Sequence, residues 1–355
     1  MTKKERVLRA IEFRRPDRVP FCCFAPGVSD LFFMTIAQPD GWQPDEGFYP
    51  HVYPIVYYLN SWRFRKFVPP DVQSPKYKRQ DEFGCIWETT VKNSIGEVTG
   101  HPIDDWEKLD GYVMPDPFAH GRLDRFDLYR KMLAGDSFVV GNLDNGLWER
   151  AHFLRGFQAL LMDTVTAPGK IELLLDRLLD EWLIPLVGLY ASRGAHGVIM
   201  TDDWGTQKSL MINPRTWRDI FKPRYARLFE ETHRHGMKFF LHSCGWITDI
   251  IPDFIEIGLD VIQKDDINFM GLEEIATLAS GKICFMGPLD MQRTFPGADT
   301  GKIFRETKKT LRAMAIHDGG WIGMYYGVPE AVGLTWKQML TYHAAVIKYG
   351  KYPVR

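Results

Sequence analysis

The chain has 355 residues, 45% of them hydrophobic, and its 44 Lys and Arg residues nearly balance 45 Asp and Glu residues, for a formal net charge of −1. This balance gives no electrostatic reason to expect nucleic acid or an anionic membrane surface as a partner. The 5 cysteines are too few and too irregularly spaced for a disulfide framework, and no apolar run reaches the roughly 18 residues of a membrane span. The charged first segment lacks the apolar stretch of a signal peptide, so we expect a cytoplasmic protein.

The first part of the chain, residues 1–136, shows little regular patterning. Val19 to Phe24 is a short apolar strand candidate. Residues 25–78 are rich in Pro, Tyr and Trp without periodicity, and the segments 81–88 and 93–99 predict a hairpin. We therefore expect an irregular N-terminal elaboration that contains a hairpin.

Residues 137–355 alternate regularly between short apolar runs and amphipathic helical patterns. The predicted strands are 138–141, 197–201, 238–242, 261–263, 283–286 and 321–324. The helical patterns lie near 149–164, 170–192, 214–235, 246–257, 272–279, 301–316 and 334–349. With the first strand, this alternation predicts an α/β fold in which residues 1–355 form a single (β/α)8 TIM barrel. A doubly wound open sheet is the alternative, but no glycine-rich nucleotide-binding motif supports it.

Polar side chains follow most of the predicted strands. In a TIM barrel, functional groups lie at the carboxyl ends of the strands, so we expect these side chains to share one mouth. The candidates are Asn142, Asp144, Asp203, Trp204, Gln263, Asp265, Asp266, Gln292, Tyr325 and Tyr326. A local cap or turn also explains each of them alone, and the convergence of several loops is the stronger argument.

The strand 238–242 ends in His242-Ser-Cys244-Gly, a possible start of a zinc site. Residues i and i+2 of a strand point to the same side, so His242 and Cys244 are predicted to project together. Imidazole and thiolate are both zinc ligands, and a site needs three or four of them. The alternative is a structural His beside a buried Cys.

Two adjacent acids, Asp202 and Asp203, follow the strand 197–201. Adjacent side chains of an extended segment point opposite ways, so at most one is expected to face the mouth unless the turn has begun. That one would be a metal ligand, a general acid or base, or the partner of a cationic substrate. A helix cap beside a solvated acid is the alternative.

Blocks along the whole chain resemble the uroporphyrinogen decarboxylase superfamily, and within it the corrinoid-dependent methyltransferases. These blocks include Arg15-Pro-Asp-Arg-Val-Pro20, Asp81-Glu-Phe-Gly-Cys-Ile-Trp87, Leu147-Trp-Glu149, Asp202-Asp-Trp-Gly-Thr-Gln207, His242-Ser-Cys-Gly245 and Met286-Gly-Pro-Leu-Asp-Met-Gln292. The motifs are specific for the superfamily and much less specific for the reaction. The resemblance implies a TIM barrel with the active site at its carboxyl-terminal mouth.

The chain departs from the tetrapyrrole decarboxylases at two places. Those enzymes carry an Arg-rich first loop and a His after the last strand. This chain has no Arg between Phe21 and Gly27, and Tyr325 and Tyr326 occupy the last loop. Because bidentate Arg clamps recognise carboxylates, both departures argue against a substrate with eight carboxylates.

The methyltransferases of the superfamily hold zinc with His-x-Cys and a later Cys. His242 and Cys244 match this pattern, whereas Met324-Tyr-Tyr-Gly327 stands in place of the later Cys. The resemblance therefore implies zinc bound by His242, Cys244 and an acid, for which we take Asp265 and leave Asp203 and Asp266 open. A site with fewer thiolates is harder and suits activation of an ether or hydroxyl oxygen.

From this resemblance we expect zinc-dependent methyl transfer between a separate corrinoid protein, which supplies the methylcorrinoid, and a small donor or acceptor. A methoxylated compound, a thiol or tetrahydrofolate fits that description. The expected catalytic residues are Asp203, Asp266 and Tyr326; the expected substrate-binding residues are Asn142, Asp144, Trp204, Gln263, Gln292 and Tyr325. A metal-independent decarboxylase and a barrel that binds a ligand without turnover remain the alternatives, and a homodimer is compatible with each.

Overall fold

A computed structural model describes residues 1–23, 28–36, 77–89, 96–326 and 329–354. Its strands are β1 (Phe21–Cys22), β2 (Leu31–Thr35), β3 (Tyr77–Gln80), β4 (Ile86–Thr89), β5 (Glu97–Gly100), β6 (Phe138–Asn145), β7 (Gly197–Thr201), β8 (Lys238–His242), β9 (Val261–Gln263), β10 (Cys284–Gly287) and β11 (Trp321–Met324). Eight of them form a parallel sheet in the order β1-β11-β10-β9-β8-β7-β6-β2. This is the predicted (β/α)8 TIM barrel.

The two end strands of this sheet, β1 and β2, are joined through Asp30. The Asp30 amide donates to the Phe21 carbonyl at 2.9 Å, and the Asp30 carboxylate accepts from the Phe21 amide at 2.8 Å. Arg6 and Arg18 each pair with the same fully buried carboxylate at 2.7 Å. A buried charge is tolerated only when it is paired, and the two arginines supply this pairing. Through Asp30 the cluster joins β1 to β2, the two ends of the sheet order, and closes the barrel.

The α-helices of the described part of the chain surround the barrel. They are Lys3–Ile11, Asp124–Tyr129, Leu147–Arg155, Phe157–Thr166, Pro168–Leu178, Ile184–Ser192, Pro214–Ile220, Lys222–Arg234, Ile251–Glu256, Leu272–Ala279, Thr300–Met314 and Trp336–Tyr349. Side chains of Asn213, Asp299 and Thr335 accept hydrogen bonds from first-turn amides, which fixes where the helices after them begin. None of the helices in these ranges is long and apolar enough to cross a membrane.

Strand alternation divides the core into an inner and an outer layer. The inner cluster contains Cys22, Leu31, Phe138, Val140, Phe240, Val261, Cys284, Met286 and Ile322. Val7 and Ile11 of the first helix pack on it, so this helix covers the amino-terminal end of the barrel. The residues between them, such as Val139, Val198 and Phe239, belong to the larger cluster under the outer helices. Each strand position therefore points either into the barrel or towards the helices.

The predicted bounds of β7, β8, β9 and β11 are confirmed. β10 begins and ends one residue later than predicted, and β1 is shorter than the predicted strand; β2 and β6 differ more. β2 lies in a stretch that we expected to be irregular, most of which is outside the described residues. β6 was predicted to end at Gly141 but continues to Asn145 through an irregularity that places Asp144 at a φ of 66°. Asn142 and Asp144 are therefore part of a bulged strand end rather than of a loop.

The N-terminal elaboration and two helices also differ from the predictions. The predicted hairpin is a three-stranded antiparallel sheet, β3-β4-β5, in the part of this region that the structure describes. The helix expected over 149–164 breaks at Gly156, where φ is 95° and a Cβ would lie 3.3 Å from the His101 ring. The helix expected over 214–235 is interrupted at Phe221.

Candidate metal centre at the barrel mouth

The inward positions of three neighbouring strands bring the central side chains of the candidate site together. His242 lies two residues after Phe240 on β8 and points into the barrel as Phe240 does, and Cys244 follows two residues later in the loop. Asp203 continues the inward parity of Ile199 and Thr201 on β7. In the described ranges, the group of ligand-type atoms that all lie within 4.8 Å of one another belongs to Asp203, His242 and Cys244. The predicted convergence of His242 and Cys244 is thus present, with Asp203 as third member.

The distances within this triad fit one metal ion. His242 Nε2 lies 3.4 Å from Cys244 Sγ and 3.4 Å from Asp203 Oδ1. Zinc bonds of about 2.0–2.3 Å in a tetrahedron place neighbouring ligand atoms about 3.5 Å apart. Nitrogen, sulfur and oxygen are each zinc ligands, so the donor set and its spacing both suit zinc.

The other ring nitrogen of His242 is held by an amide and, through it, by a carboxylate. Nδ1 of His242 is hydrogen-bonded to Oε1 of Gln263, and Nε2 of Gln263 donates to Oδ1 of Asp265 at 2.9 Å. An acceptor at Nδ1 places the proton there and leaves the lone pair of Nε2 for a metal. Asp265, the acid that we expected to bind the metal, therefore lies two hydrogen bonds away from His242.

The charge state of His242 reflects the acidic groups around it. Burial works against the charged imidazole, but Cys244, Asp203 and Asp265 outweigh it and hold the pKa of His242 well above its ordinary value. Burial also raises the pKa of the Cys244 thiol, so without a metal both side chains hold their protons. A divalent ion would displace these protons from Nε2 and Sγ.

Two glycines allow the loops that carry Asp203 and Cys244 to pack backbone against backbone. A Cβ on Gly205 would lie 2.2 Å from the Trp246 amide nitrogen, and one on Gly245 would lie 2.2 Å from the Gly205 carbonyl oxygen. In this packing the Gly205 amide donates to the Cys244 carbonyl at 3.2 Å, and the Cys244 amide donates to Asp203 Oδ1 at 2.6 Å. The close approach therefore fixes Asp203 relative to Cys244.

Asp202 faces the outer helices and has a structural place. Its fully buried carboxylate accepts from the amides of Trp148 and Glu149 at 3.1 and 2.8 Å, at the start of the helix Leu147–Arg155, and from the Tyr225 hydroxyl. Burial outweighs these hydrogen bonds and raises the pKa of Asp202 to about 7. Asp202 and Asp203 thus point opposite ways, as their alternation predicts.

Glu149 is a half-buried acid near the triad. Burial, with the nearby charges of Asp203 and Asp202, raises the pKa of Glu149 to about 8. Oε2 of Glu149 accepts from Nδ2 of Asn145 at 3.0 Å. At neutral pH, Glu149 is consequently a protonated carboxyl group close to the candidate metal ligands.

The remaining candidates are divided between the mouth and other networks. Tyr326 is half-buried; burial, then the charges of Asp265 and Cys244, raise the pKa of Tyr326, so its hydroxyl lies near the site and is neutral. Trp204 is fully buried against Trp148, with ring centroids 5.1 Å apart, and has no surface to offer a substrate. Tyr325 is buried, and its hydroxyl is hydrogen-bonded to Nδ1 of His343 at 2.9 Å.

Three further candidates are tied up in turns or exposed. The Asn142 carbonyl accepts from the Tyr190 hydroxyl at 2.8 Å, and its side chain accepts from the Asp144 amide at 3.0 Å. Asp144 is 3.5 Å from Arg150. Gln292 is exposed on the turn after β10.

Sequence reasoning placed Glu149 after the strand 138–141 without assigning it a role in the site, and it missed Lys264. Glu149 follows β6 in the Leu147-Trp-Glu149 block, but its nearness to Asp203 depends on the packing of two loops. Lys264 is 1% exposed. Its place directly after the short buried strand β9 was the one feature of the sequence that could have indicated a buried charge. A fully buried ammonium group needs several partners, and these come from a different loop.

Comparison with solved structures finds the same fold in a methyltransferase. The structure is similar to a methyltransferase from Methanosarcina mazei, with a TM-score of 0.70 and 18% identity over 98% of this chain and 99% of that chain. An L-ribulose 3-epimerase has a TM-score of 0.40 and 15% identity over 66% of this chain and 84% of that chain. A 3-keto-D-glucoside 4-epimerase from E. coli has a TM-score of 0.38 and 13% identity over 64% of this chain and 83% of that chain.

Comparison of the sequence identifies the family. No curated protein matches the sequence. The family model described as uroporphyrinogen decarboxylase (URO-D) matches residues 82–325, which is more than half of the chain and spans β6 to β11 with the candidate metal ligands. The chain therefore belongs to the uroporphyrinogen decarboxylase (URO-D) family, as its motifs indicated.

Proposed function

We propose that this protein is a zinc-dependent methyltransferase that moves a methyl group between a corrinoid protein and a small donor or acceptor. The observation that carries the proposal is the triad of His242 Nε2, Cys244 Sγ and Asp203 Oδ1, in which Nε2 lies 3.4 Å from each of the other two atoms. The end-to-end likeness in fold to a methyltransferase supports the same class of reaction.

His242, Cys244 and Asp203 would hold the zinc, and Gln263 would orient His242. Bound zinc would supply Lewis acidity towards an oxygen or sulfur atom of the small substrate. Asp203 as the third ligand makes the site harder than one with two thiolates, which favours an oxygen substrate such as a methoxylated compound. A thiol and tetrahydrofolate are the other acceptors to test.

The protonated groups at the mouth fit transfer from a methoxylated donor. When the C–O bond breaks, the oxygen keeps the bonding electron pair and needs a proton. Burial raises the pKa values of both Tyr326 and Glu149 and so favours their protonated forms. We assign the role of proton donor to Tyr326 or Glu149. Asp203, which we first expected to be catalytic, is assigned the role of metal ligand.

The direct test is an assay with free cobalamin as the probe. Methylcobalamin is offered with 2-mercaptoethanol or tetrahydrofolate, and cob(I)alamin with 2-methoxyphenol, and the cobalamin absorbance is followed. We expect transfer in at least one direction, abolished by a chelator and by Cys244→Ser. Cys284→Ala, which changes a buried core cysteine of β10, is the matched control and should keep the activity.

A metal-independent decarboxylase is the second candidate, and the protonated Glu149 favours it, because decarboxylation needs a proton donor at the carbon that loses CO2. This function predicts CO2 release that resists chelators and is lost in Glu149→Gln. Substrate binding without turnover in either assay would instead indicate a barrel that only binds a ligand.

A further inference from the structure

The loop that carries Cys244 is held from behind by a buried ammonium group. Lys264, directly after β9, is 1% exposed. Its Nζ donates to the Ser243 carbonyl at 3.0 Å and to the Gly245 carbonyl at 2.7 Å. Lys264 therefore binds the main chain on both sides of Cys244.

Asp266 completes this arrangement. Its Oδ1 lies 3.0 Å from Lys264 Nζ, and its Oδ2 accepts from the Gly245 amide at 3.2 Å. Asp266 is itself only 5% exposed. Burying an ammonium and a carboxylate costs free energy unless both are paired and hydrogen-bonded, and here each also binds the loop. The bonds that accompany the burial of Lys264 and Asp266 are therefore concentrated on one short segment, Ser243–Gly245.

Every main-chain polar group from the Ser243 carbonyl to the Gly245 carbonyl has a partner. The Cys244 amide donates to Asp203, and the Cys244 carbonyl accepts from the Gly205 amide at 3.2 Å. The Ser243 and Gly245 carbonyls accept from Lys264, and the Gly245 amide donates to Asp266. None of these bonds requires a metal ion, so the main chain that carries Cys244 is held by the protein alone.

We propose that Lys264 and Asp266 are positioning residues that preform the metal centre, by locking the main chain of Ser243–Gly245 so that Cys244 Sγ faces His242 Nε2 before any metal binds. The proposal rests on the proposed metal-dependent function. It gives Asp266, which we first expected to be catalytic, a role behind the site. Loss of a residue that orients a metal ligand typically lowers metal affinity by about 10–100-fold.

The experiment compares Lys264→Met with Lys238→Met as the matched control. Lys238 is the first residue of β8, at the opposite end of the strand from His242, and pairs with Glu12 and Asp260 at 3.2 and 3.1 Å. Both variants remove a paired lysine from the barrel, but only Lys264 touches the Cys244 loop. Zinc affinity is measured by competition with a chromophoric chelator, and Co²⁺ absorption reports the ligand geometry.

A second readout needs no metal. Hydrogen exchange of the peptide that contains residues 243–247 is followed in metal-free protein, where the Gly245 amide is protected by Asp266 and the Trp246 amide by Thr206 at 2.9 Å. We expect Lys264→Met to bind zinc about 10–100-fold more weakly, to give a weaker tetrahedral Co²⁺ spectrum and to exchange faster here. Lys238→Met should match the wild type in all three.

The two readouts separate the two proposals. Unchanged zinc affinity and unchanged exchange in Lys264→Met would overturn the positioning role. Should that variant not fold, Asp266→Asn carries the same test, since it keeps an acceptor for Gly245 and loses only the charge that pairs with Lys264. If wild-type protein binds neither zinc nor Co²⁺, the metal function fails, and the exchange result alone decides whether Lys264 holds the loop.

Discussion

The carboxylates of Asp202 and Asp203, neighbours in sequence, lie on opposite sides of the barrel wall. Asp202 accepts hydrogen bonds from the amides of Trp148 and Glu149 under the outer helices, and Asp203 accepts one from the Cys244 amide at the mouth. Because the two side chains leave one extended segment in opposite directions, a single pair of substitutions separates the stability of the barrel from its chemistry.

Asp202→Ala should destabilise the fold, and Asp203→Ala should weaken metal binding. The first change leaves buried helix amides and the Tyr225 hydroxyl without an acceptor, at a cost of about 1–3 kcal/mol for each unsatisfied group. The Asp203 side chain is 33% exposed and accepts from a single main-chain amide, that of Cys244, so its loss should cost less stability than the loss of Asp202. Urea unfolding and zinc competition measure the two effects. Equal loss of stability in both variants would contradict the division of roles.

Gln263→Met should lower zinc affinity by about 10–100-fold, because His242 loses the acceptor that keeps its proton on Nδ1. Gln263→Glu retains an acceptor oxygen and should lose less affinity. Chelator competition on both variants measures whether zinc affinity falls further in Gln263→Met than in Gln263→Glu. Equal affinity in wild type and Gln263→Met would show that the amide does not orient the imidazole.

Gly205→Ala should disrupt the metal centre, because its methyl group would meet the Trp246 amide nitrogen at 2.2 Å and force apart the loops of Asp203 and Cys244. Gly169, in the helix Pro168–Leu178, is the matched control, since a Cβ there meets nothing within 4 Å. We expect Gly169→Ala to keep wild-type zinc affinity and to be as stable or slightly more stable. Wild-type affinity in Gly205→Ala would refute the close-packing argument.

Stability of the metal-free protein should fall as the pH rises towards 8. The pKa of Glu149 in the folded chain is about 8, against an ordinary value of 4.5. Between those values the folded chain holds a proton that the unfolded chain has released, so the contribution of this group is complete below pH 4.5 and is lost as pH approaches 8.

The pH effect is isolated by comparison with Glu149→Gln. The free energy of unfolding, measured by urea at intervals between pH 5 and pH 8, should fall more steeply in the wild type, by at most about 1.4 kcal/mol per pH unit. Parallel curves for the two proteins would mean that Glu149 ionises at its ordinary pKa.

The barrel was predictable because buried parallel strands are short apolar runs between helices. β7, β8, β9 and β11 each fit this pattern, and their inward parity brought His242 and Cys244 together correctly. β2 was missed because the sequence around Leu31–Thr35 is rich in Pro, Tyr and Trp and shows no alternation of strand and helix patterns. Periodicity cannot locate a strand that lacks this context.

The details of the site depend on contacts between loops, which spacing in the sequence does not reveal. Asp203, Asp265 and Asp266 all follow strands, and we took Asp265 as the third ligand because spacing gave no reason to prefer Asp203. The structure separates them, because Asp203 faces His242, Asp265 holds Gln263, and Asp266 pairs with Lys264. Which carboxylate meets the imidazole is decided by loop packing across neighbouring strands.

The zinc site is tested most directly by the metal content of untagged protein purified without added metal, beside Cys244→Ser and Cys284→Ala. We expect about one zinc per chain in the wild type and in Cys284→Ala, because a closely spaced N, S and O donor set binds one ion, and no zinc in Cys244→Ser. Wild-type protein that contains no zinc and takes none up, or a Cys244→Ser variant that keeps its zinc, would show that His242, Cys244 and Asp203 do not form a zinc site.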